Sequence, residues 1–77
     1  MNYYEAVKEQ NPLAVYPTGY KPAIIGMALR GPNTVFVLSR DACVQHLALE
    51  MPIEEADEYF EYNIEAAWMG EHTPYFI

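Results

Sequence analysis

Cys43 and His46 are the two residues whose types and spacing come closest to a reactive pair. Three positions apart on a helix, they would share one side, where they could bind a metal ion or pair a thiolate with a base. A zinc site needs two further ligands, and only His72 and scattered acids remain. A nucleophile needs oxyanion donors, which no glycine cluster supplies. The sequence therefore favours a core or boundary position for the pair and predicts no catalytic residue, metal site or cofactor.

Carboxylates after position 50 form a second set with regular spacing. Glu54 and Glu58 lie one helical turn apart, as do Asp57 and Glu61, and Glu55 lies beside them. The repulsion within such a pair costs only a few tenths of a kcal/mol, so a solvated helix face is one sufficient interpretation. The other interpretation is a binding surface, since charges of one sign attract partners of the opposite sign and can imitate nucleic-acid phosphates.

The distribution of charge along the chain favours the binding interpretation. The net charge is −7, yet all four basic residues lie in the first forty positions with only two acids, so this part is net +2. From Asp41 onward there are nine acids and no Lys or Arg. Because direct binding to nucleic acid needs clustered basic residues, we expect no nucleic-acid ligand and instead a partner protein with a basic surface.

Aromatic residues are more numerous than a core of this size can enclose. There are seven tyrosines and one tryptophan in 77 residues. Partly exposed aromatics beside acids are typical of interfaces, although a small sheet covered by tyrosine is equally ordinary. The positions least explained by a periodic apolar stripe are Tyr3, Tyr4, Tyr16, Tyr20 and Trp68. As anchors next to the acids we expect Tyr62 or Trp68.

The elements that must position these residues can be predicted in chain order. Residues 1–21 are expected to hold a short helix capped by Asn2 and then an irregular, proline-rich segment. "PAIIGMALR" and "TVFVLSR", separated by "GPN", predict a β-hairpin over about 22–30 and 34–39. Both faces of its first strand are apolar, so we expect that strand to be covered on each side or to lie in the interior of the sheet.

Two helices are expected between positions 40 and 63. Ser39 can cap the first, and the second begins near Pro52 with Glu54 and Glu55 in its first turn. Asn63 is expected to end it in a left-handed cap conformation. Residues 64–70 are predicted to be extended, and "PYFI" to form a terminal strand whose residues, Ile77 included, belong to the core.

Length and composition predict one small domain, residues 1–77. The chain is 52% apolar without low-complexity runs, which is typical of a folded protein. A chain this short buries only about 60% of its unfolded surface, so a partner or a second copy could add stability. A single cysteine, the lack of a signal-peptide pattern and the lack of a long apolar run predict a soluble protein of a reducing cytoplasm. The expected fold is α+β, with a small antiparallel sheet of the hairpin and the terminal strand packed on two or three short helices.

Residues 23–77 resemble a widespread group of small bacteriophage proteins. In these proteins a segment beginning "AIIG" leads to a hairpin and a helix, a later helix ends in "EYN", and the chain closes with a segment like "GAYVGExTPxFI". The matching points here include Glu61, Tyr62, Asn63, Gly70 and Pro74, whereas Ala66 stands where glycine is expected. The group has no established activity, so the resemblance implies a phage origin and the cytoplasm of the host cell, with no catalytic residues.

Together these observations predict a non-enzymatic phage protein that binds and modulates a host protein. Its acidic helical face would occupy a basic groove that nucleic acid otherwise fills, as an anti-defence inhibitor would. The residues expected to contact the partner are Glu54, Glu55, Asp57, Glu58, Glu61, Tyr62 and Trp68. The alternative is a small homo-oligomeric structural or accessory phage protein, for example a homodimer whose aromatic surfaces pair.

Overall fold

A computed structural model describes residues 2–68 and 70–77 of the chain. The helices are α1 (Tyr3–Gln10), α2 (Arg40–Leu47) and α3 (Ile53–Phe60), and the strands are β1 (Ile24–Arg30), β2 (Asn33–Leu38) and β3 (Tyr75–Phe76). Short 3-10 turns occupy Lys21–Ala23 and Gly70–His72, and a π-helical turn, Glu61–Glu65, follows α3 directly. Three helices on a small three-stranded sheet confirm the predicted α+β class.

The sheet has the order β1-β2-β3 and is mixed. β1 and β2 form the predicted antiparallel hairpin, and Gly31 in its turn has a φ of 60°, which glycine adopts without steric cost. β3 pairs with β2 in parallel, so the prediction of an antiparallel terminal strand is wrong. A parallel pair needs a long crossover, which residues 39–74 supply, and nothing in a two-residue strand fixes its direction in advance.

The core lies between the helices and one face of the sheet. Phe36 is fully buried and stacks on Tyr4 of α1 with ring centroids 5.8 Å apart. Leu38 is also fully buried and pairs with Phe76, whose ring meets Phe60 of α3 edge-on at 5.1 Å. α1 thus packs on β2, α3 packs at the β3 end of the sheet, and α2 packs against α3.

Each helix begins where the sequence predicts. The Asn2 side chain accepts a hydrogen bond from the backbone N–H of Glu5, and the Ser39 side chain accepts one from Ala42. α3 starts directly after Pro52. Its end differs from the prediction, since no described residue other than glycine has a positive φ, so Asn63 is not a left-handed cap.

The chain after Asn63 is helical where an extended segment was expected. The π-helical turn continues to Glu65, and Ala66 closes it with its backbone N–H bonded to Glu61 O at 3.2 Å. Ala66 and Ala67 favour helical turns, and this local preference outweighs the strand preference of Ile64. Trp68 lies outside regular structure, and position 69 falls outside the described residues.

A buried asparagine ties the irregular segment to the sheet. Asn11, at the end of α1, donates from Nδ2 to Thr34 O of β2 at 2.8 Å, and its Oδ1 accepts from the Leu13 N–H. The same Nδ2 lies 3.0 Å from His72 Nδ1. Since these bonds satisfy the buried amide, the proline-rich segment is held in place without regular structure.

Strand β1 and the last residue, Ile77, are more exposed than predicted. β1 is not covered on both sides, because Ile25, Met27 and Leu29 are 47%, 45% and 68% exposed. β1 is an edge strand, and α1 covers only part of its width. Ile77 is 74% exposed, although its backbone N–H bonds to Leu38 O and its carbonyl accepts from Arg40. The terminal segment is therefore held by its backbone and by Phe76 rather than by Ile77.

Candidate functional site

The acidic residues of α3 form one exposed stripe along the helix. Glu54 and Glu58 lie one turn apart, and Glu61 continues the stripe in the π-helical turn. Glu55 lies beside them, and all four side chains are exposed. The opposite side of α3 presents the buried Ala56 and Phe60 to the core. We call the surface of Glu54, Glu55, Glu58 and Glu61 the acidic face.

Asp57 is the exception among the predicted acids, because a cation neutralises it. Arg40, the first residue of α2, places Nη1 2.8 Å from Asp57 Oδ1 and Nε 3.1 Å from Glu65 Oε1. Its guanidinium also lies over the Phe60 ring at 5.4 Å. The hydrogen bond to Asp57, and after it the one to Glu65, raises the pKa of Arg40 above its ordinary value. Asp57 therefore contributes less net charge than the other predicted acids, and its role in partner binding stays a prediction.

The other basic side chains are engaged elsewhere. Lys8 donates to the carbonyls of Pro12 and Ala14, and Lys21 lies 4.0 Å over the Tyr4 ring. Arg30 donates to Thr73 O at 3.0 Å and lies over the rings of Tyr75 and Trp68. Within residues 2–68 and 70–77, no Lys or Arg forms an ion pair with the acidic face. The electrostatic field of that face is thus uncompensated by contacts.

The two predicted aromatic anchors lie in different settings. Tyr62, one turn after Glu58, is 76% exposed and adjoins the acidic face. Trp68 is 66% exposed but belongs to a separate cluster, with the guanidinium of Arg30 5.1 Å from its ring. The structure therefore brings Tyr62 together with the carboxylates and places Trp68 at the end of β1.

A groove of about 720 Å³ runs between α2 and α3, next to the acidic face. It is lined by apolar side chains, carboxylates, Gln45 and the Arg40 guanidinium that pairs with Asp57. The apolar members are Val44, Ile53 and Ile77, and the remaining carboxylates are Asp41, Glu54 and Glu58. Long basic side chains suit such a lining, because their aliphatic stems pack on apolar atoms while their charged ends meet acids. The sequence did not reveal this groove, since its apolar members come from three separate segments.

Cys43 and His46 are separated by their environments. Cys43 is fully buried in the core, and burial raises the pKa of its thiol to about 11. His46 is exposed and meets the Tyr20 ring edge-on at 5.1 Å. Across the described residues, no three His, Cys, Asp or Glu side chains are grouped closely enough to hold a metal ion. The thiol is protonated at neutral pH, which suits a packing role.

The tyrosines and Glu65 complete the comparison with the predicted residues. Tyr20 is buried, and Tyr4 and Tyr16 pack against Phe36, so these rings belong to the core cluster. Glu65 was not predicted as a site residue. It lies four positions after Glu61, a spacing that would have indicated it if the helix had been expected to continue past Asn63.

No protein-family model matches the chain, and searches of curated proteins and of solved structures gave no significant match. The described helices are each too short and too polar to cross a membrane, since α1, α2 and α3 have eight residues each and a crossing needs about 20.

Proposed function

We propose that the protein is a non-enzymatic, phage-encoded inhibitor that binds a basic surface of a host protein through the acidic face. The observation that carries this proposal is the exposure of Glu54, Glu58 and Glu61 on one stripe with which no Lys or Arg of the described residues forms an ion pair. Charges placed in this way raise the association rate with a positively charged partner. The phage origin and the host cytoplasm rest on the resemblance of residues 23–77 to small phage proteins.

The proposed mechanism is occlusion. The carboxylates of the acidic face take the positions of nucleic-acid phosphates in a basic groove of the partner, and nucleic acid is thereby excluded. A lysine or arginine of the partner extends into the groove between α2 and α3, with its stem on Ile53 and Val44. Tyr62 packs at the margin, where a largely exposed aromatic side chain gains the most area on binding.

A second candidate function is that of a homo-oligomeric accessory or structural protein. Fewer tyrosines are accessible for pairing between copies than expected, because Tyr4, Tyr16 and Tyr20 pack in the core cluster. The exposed apolar residues of β1 favour self-association instead. In this reading the carboxylates only keep the assembly soluble.

Charge reversal tests the proposed function. The variant Glu54→Lys, Glu58→Lys, Glu61→Lys should keep its circular dichroism spectrum, since the three side chains are exposed. Immobilised wild-type protein is used to capture partners from bacterial lysate, and the captured protein is then purified and titrated with each variant. We expect loss of binding by the acidic-face variant, by about a hundredfold or more, because attractions become repulsions.

A second triple reversal supplies the matched control. Glu5→Lys, Glu9→Lys, Glu71→Lys changes the net charge equally, from −7 to −1, since each reversal adds two charges. It also places one lysine in a first helical turn, at Glu5 of α1, as Glu54→Lys does in α3. This control should bind the partner within a few-fold of wild type. Equal losses in both variants would show that net charge, and not the acidic face, governs the binding.

A further inference from the structure

The outer edge of β1 carries three adjacent features that together suggest a missing strand. Ile25, Met27 and Leu29 are about half exposed or more, although they lie in a seven-residue strand. β1 pairs with β2 on one side only, so its other side presents unpaired backbone groups. Met27 pairs with the buried Phe36, which places Met27 on the helix-covered face of the sheet at the margin beyond α1.

The edge strand β1 has no charged side chain between Ile24 and Leu29 that would discourage pairing with another strand. Natural edge strands are commonly protected by lysine, proline or a bulge. Here a register irregularity occurs near Ile25, but no charged residue occurs between Ile24 and Leu29. The one charged residue, Arg30, is turned back on its own chain, where Nε donates to Thr73 O and the guanidinium stacks on Tyr75. The middle of the strand is therefore open to another strand.

We propose that two copies of the chain pair through β1 as antiparallel strands, with the two-fold axis at Met27. In this register Met27 meets Met27 of the second copy, and Leu29, on the same face, lies diagonally beside it, so these two exposed side chains gain apolar neighbours. Ile25 is the extra residue of the irregularity in β1 and is given no partner in this register. On the other face Gly26 meets Ala28, two small residues that permit close approach. The result is one sheet of six strands with the β1 strands at its centre.

Charge favours a second copy as the occupant of this edge. The acidic face lies on α3, whose Phe60 packs on Phe76 of β3, at the opposite end of the sheet from β1. Two chains of net charge −7 repel each other least where their acids are farthest apart. The charges next to β1 are balanced, since α1 and the 3-10 turn before β1 carry Glu5, Glu9, Lys8 and Lys21. The pairing leaves both acidic faces free, and it does not depend on the proposed function.

The groove between α1 and β1 supports the same arrangement. It has a volume of about 850 Å³ and is lined by Tyr3, Tyr4, Lys21, Pro22, Ile24 and Met27. Met27 is shared between this groove and the exposed edge, so a second β1 strand would close the open side of the groove. Tyr3, which is 50% exposed, lies at the same margin and would be covered in part.

Charged substitutions of Met27, which lies on the proposed two-fold axis, test both the dimer and its register. Wild-type protein should form a concentration-dependent dimer in analytical ultracentrifugation. Met27→Lys and Met27→Glu should each weaken the dimer by about tenfold or more, because like charges face each other across the axis. Mixing the two variants should restore it. Leu49→Lys and Leu49→Glu, at an 81% exposed position outside the sheet, are the matched controls and should dimerise like wild type.

Cysteine substitution checks the register when the charged variants do not fold. Directly opposed residues of an antiparallel pair have Cα atoms about 4.5–5.5 Å apart, within the range that a disulfide spans. Oxidised Met27→Cys should therefore give a covalent dimer, while Leu49→Cys and wild type with buried Cys43 should not. If the wild type stays monomeric at all concentrations, the proposal is overturned. This holds also if β1 proves to bind a strand of another protein. Equal cross-linking of Met27→Cys and Leu49→Cys overturns it as well.

Discussion

The acidic face of α3 and the exposed edge of β1 are both accessible, yet the chain supports them differently. α3 is held from beneath by Phe60 and from one side by Arg40, so its carboxylates are presented on a fixed helix. β1 is held on one side by β2 and is only partly covered by α1. A charged surface can thus be complete within one chain, whereas an apolar edge strand leaves one row of its backbone groups unpaired.

The two arginines beside these surfaces extend the comparison. Arg40 reaches toward the acids and neutralises Asp57 and Glu65. Arg30 turns away from the β1 edge and anchors the segment around Thr73 and Tyr75. Arg40 therefore reduces the negative charge beside the acidic face, whereas Arg30 does not protect the edge of β1. Neither role follows from the position of these residues in the sequence.

Removing the support beneath the acidic face should have the largest effect. Phe60→Ala leaves a cavity next to Phe76 and should lower the free energy of unfolding by about 3–5 kcal/mol. A small domain has a total of roughly 5–15 kcal/mol, so a large fraction of the variant should be unfolded. Urea denaturation followed by circular dichroism measures the change.

Tyr59→Ala provides the control for this substitution. Tyr59 is the neighbouring residue of α3 and is 46% exposed, so less of its side chain leaves the core on truncation. Its loss of stability should be about 1 kcal/mol or less. Similar losses at both positions would contradict the description of α3 as anchored through Phe60.

Removing Arg40 should have an intermediate effect. Arg40→Met keeps an apolar stem near Phe60 but breaks the ion pairs with Asp57 and Glu65. Because these pairs are partly exposed, the free energy of unfolding should fall by only about 1 kcal/mol, and the difference should shrink in 1 M salt. The enlarged negative surface should bind a basic partner at least as tightly as wild type.

A double-mutant cycle with Asp57→Asn isolates the contribution of one pair. The effects of Arg40→Met and Asp57→Asn should be less than additive, since each removes the same interaction. Additive effects would indicate that Arg40 acts through its contact with Phe60 alone.

The smallest electrostatic effect at neutral pH is expected at Cys43, which lies under neither surface and whose thiol ionises only at alkaline pH. Burial raises the pKa of its thiol to about 11, so the folded state holds the proton more tightly than the unfolded state. The stabilisation is therefore complete below about pH 9 and is lost as the pH rises toward 11. Denaturation at pH 8, 9, 10 and 11 should show less loss for Cys43→Ala, which retains the contribution of Tyr20, whose pKa burial also raises. Parallel curves for the two proteins would contradict this assignment.

The sequence predicted those parts of the fold that local signals determine. Asn2 and Ser39 gave the helix starts, and the glycine and proline of "GPN" gave the hairpin. The direction of β3 and the exposure of the β1 side chains could not be predicted, since both depend on how segments far apart in the chain pack. For the acidic face, helical spacing predicted the stripe, but the loss of Asp57 to Arg40 depends on the contact between α2 and α3.

The salt dependence of partner binding tests the central claim most directly, namely that uncompensated carboxylates of α3 form the binding surface. The dissociation constant of wild-type protein with its purified partner is measured from 50 to 500 mM NaCl. The claim predicts an affinity that falls steeply over this range, because exposed charges are screened beyond a Debye length of about 10 Å at 0.1 M and about 3 Å at 1 M. An affinity that does not change with salt would contradict it.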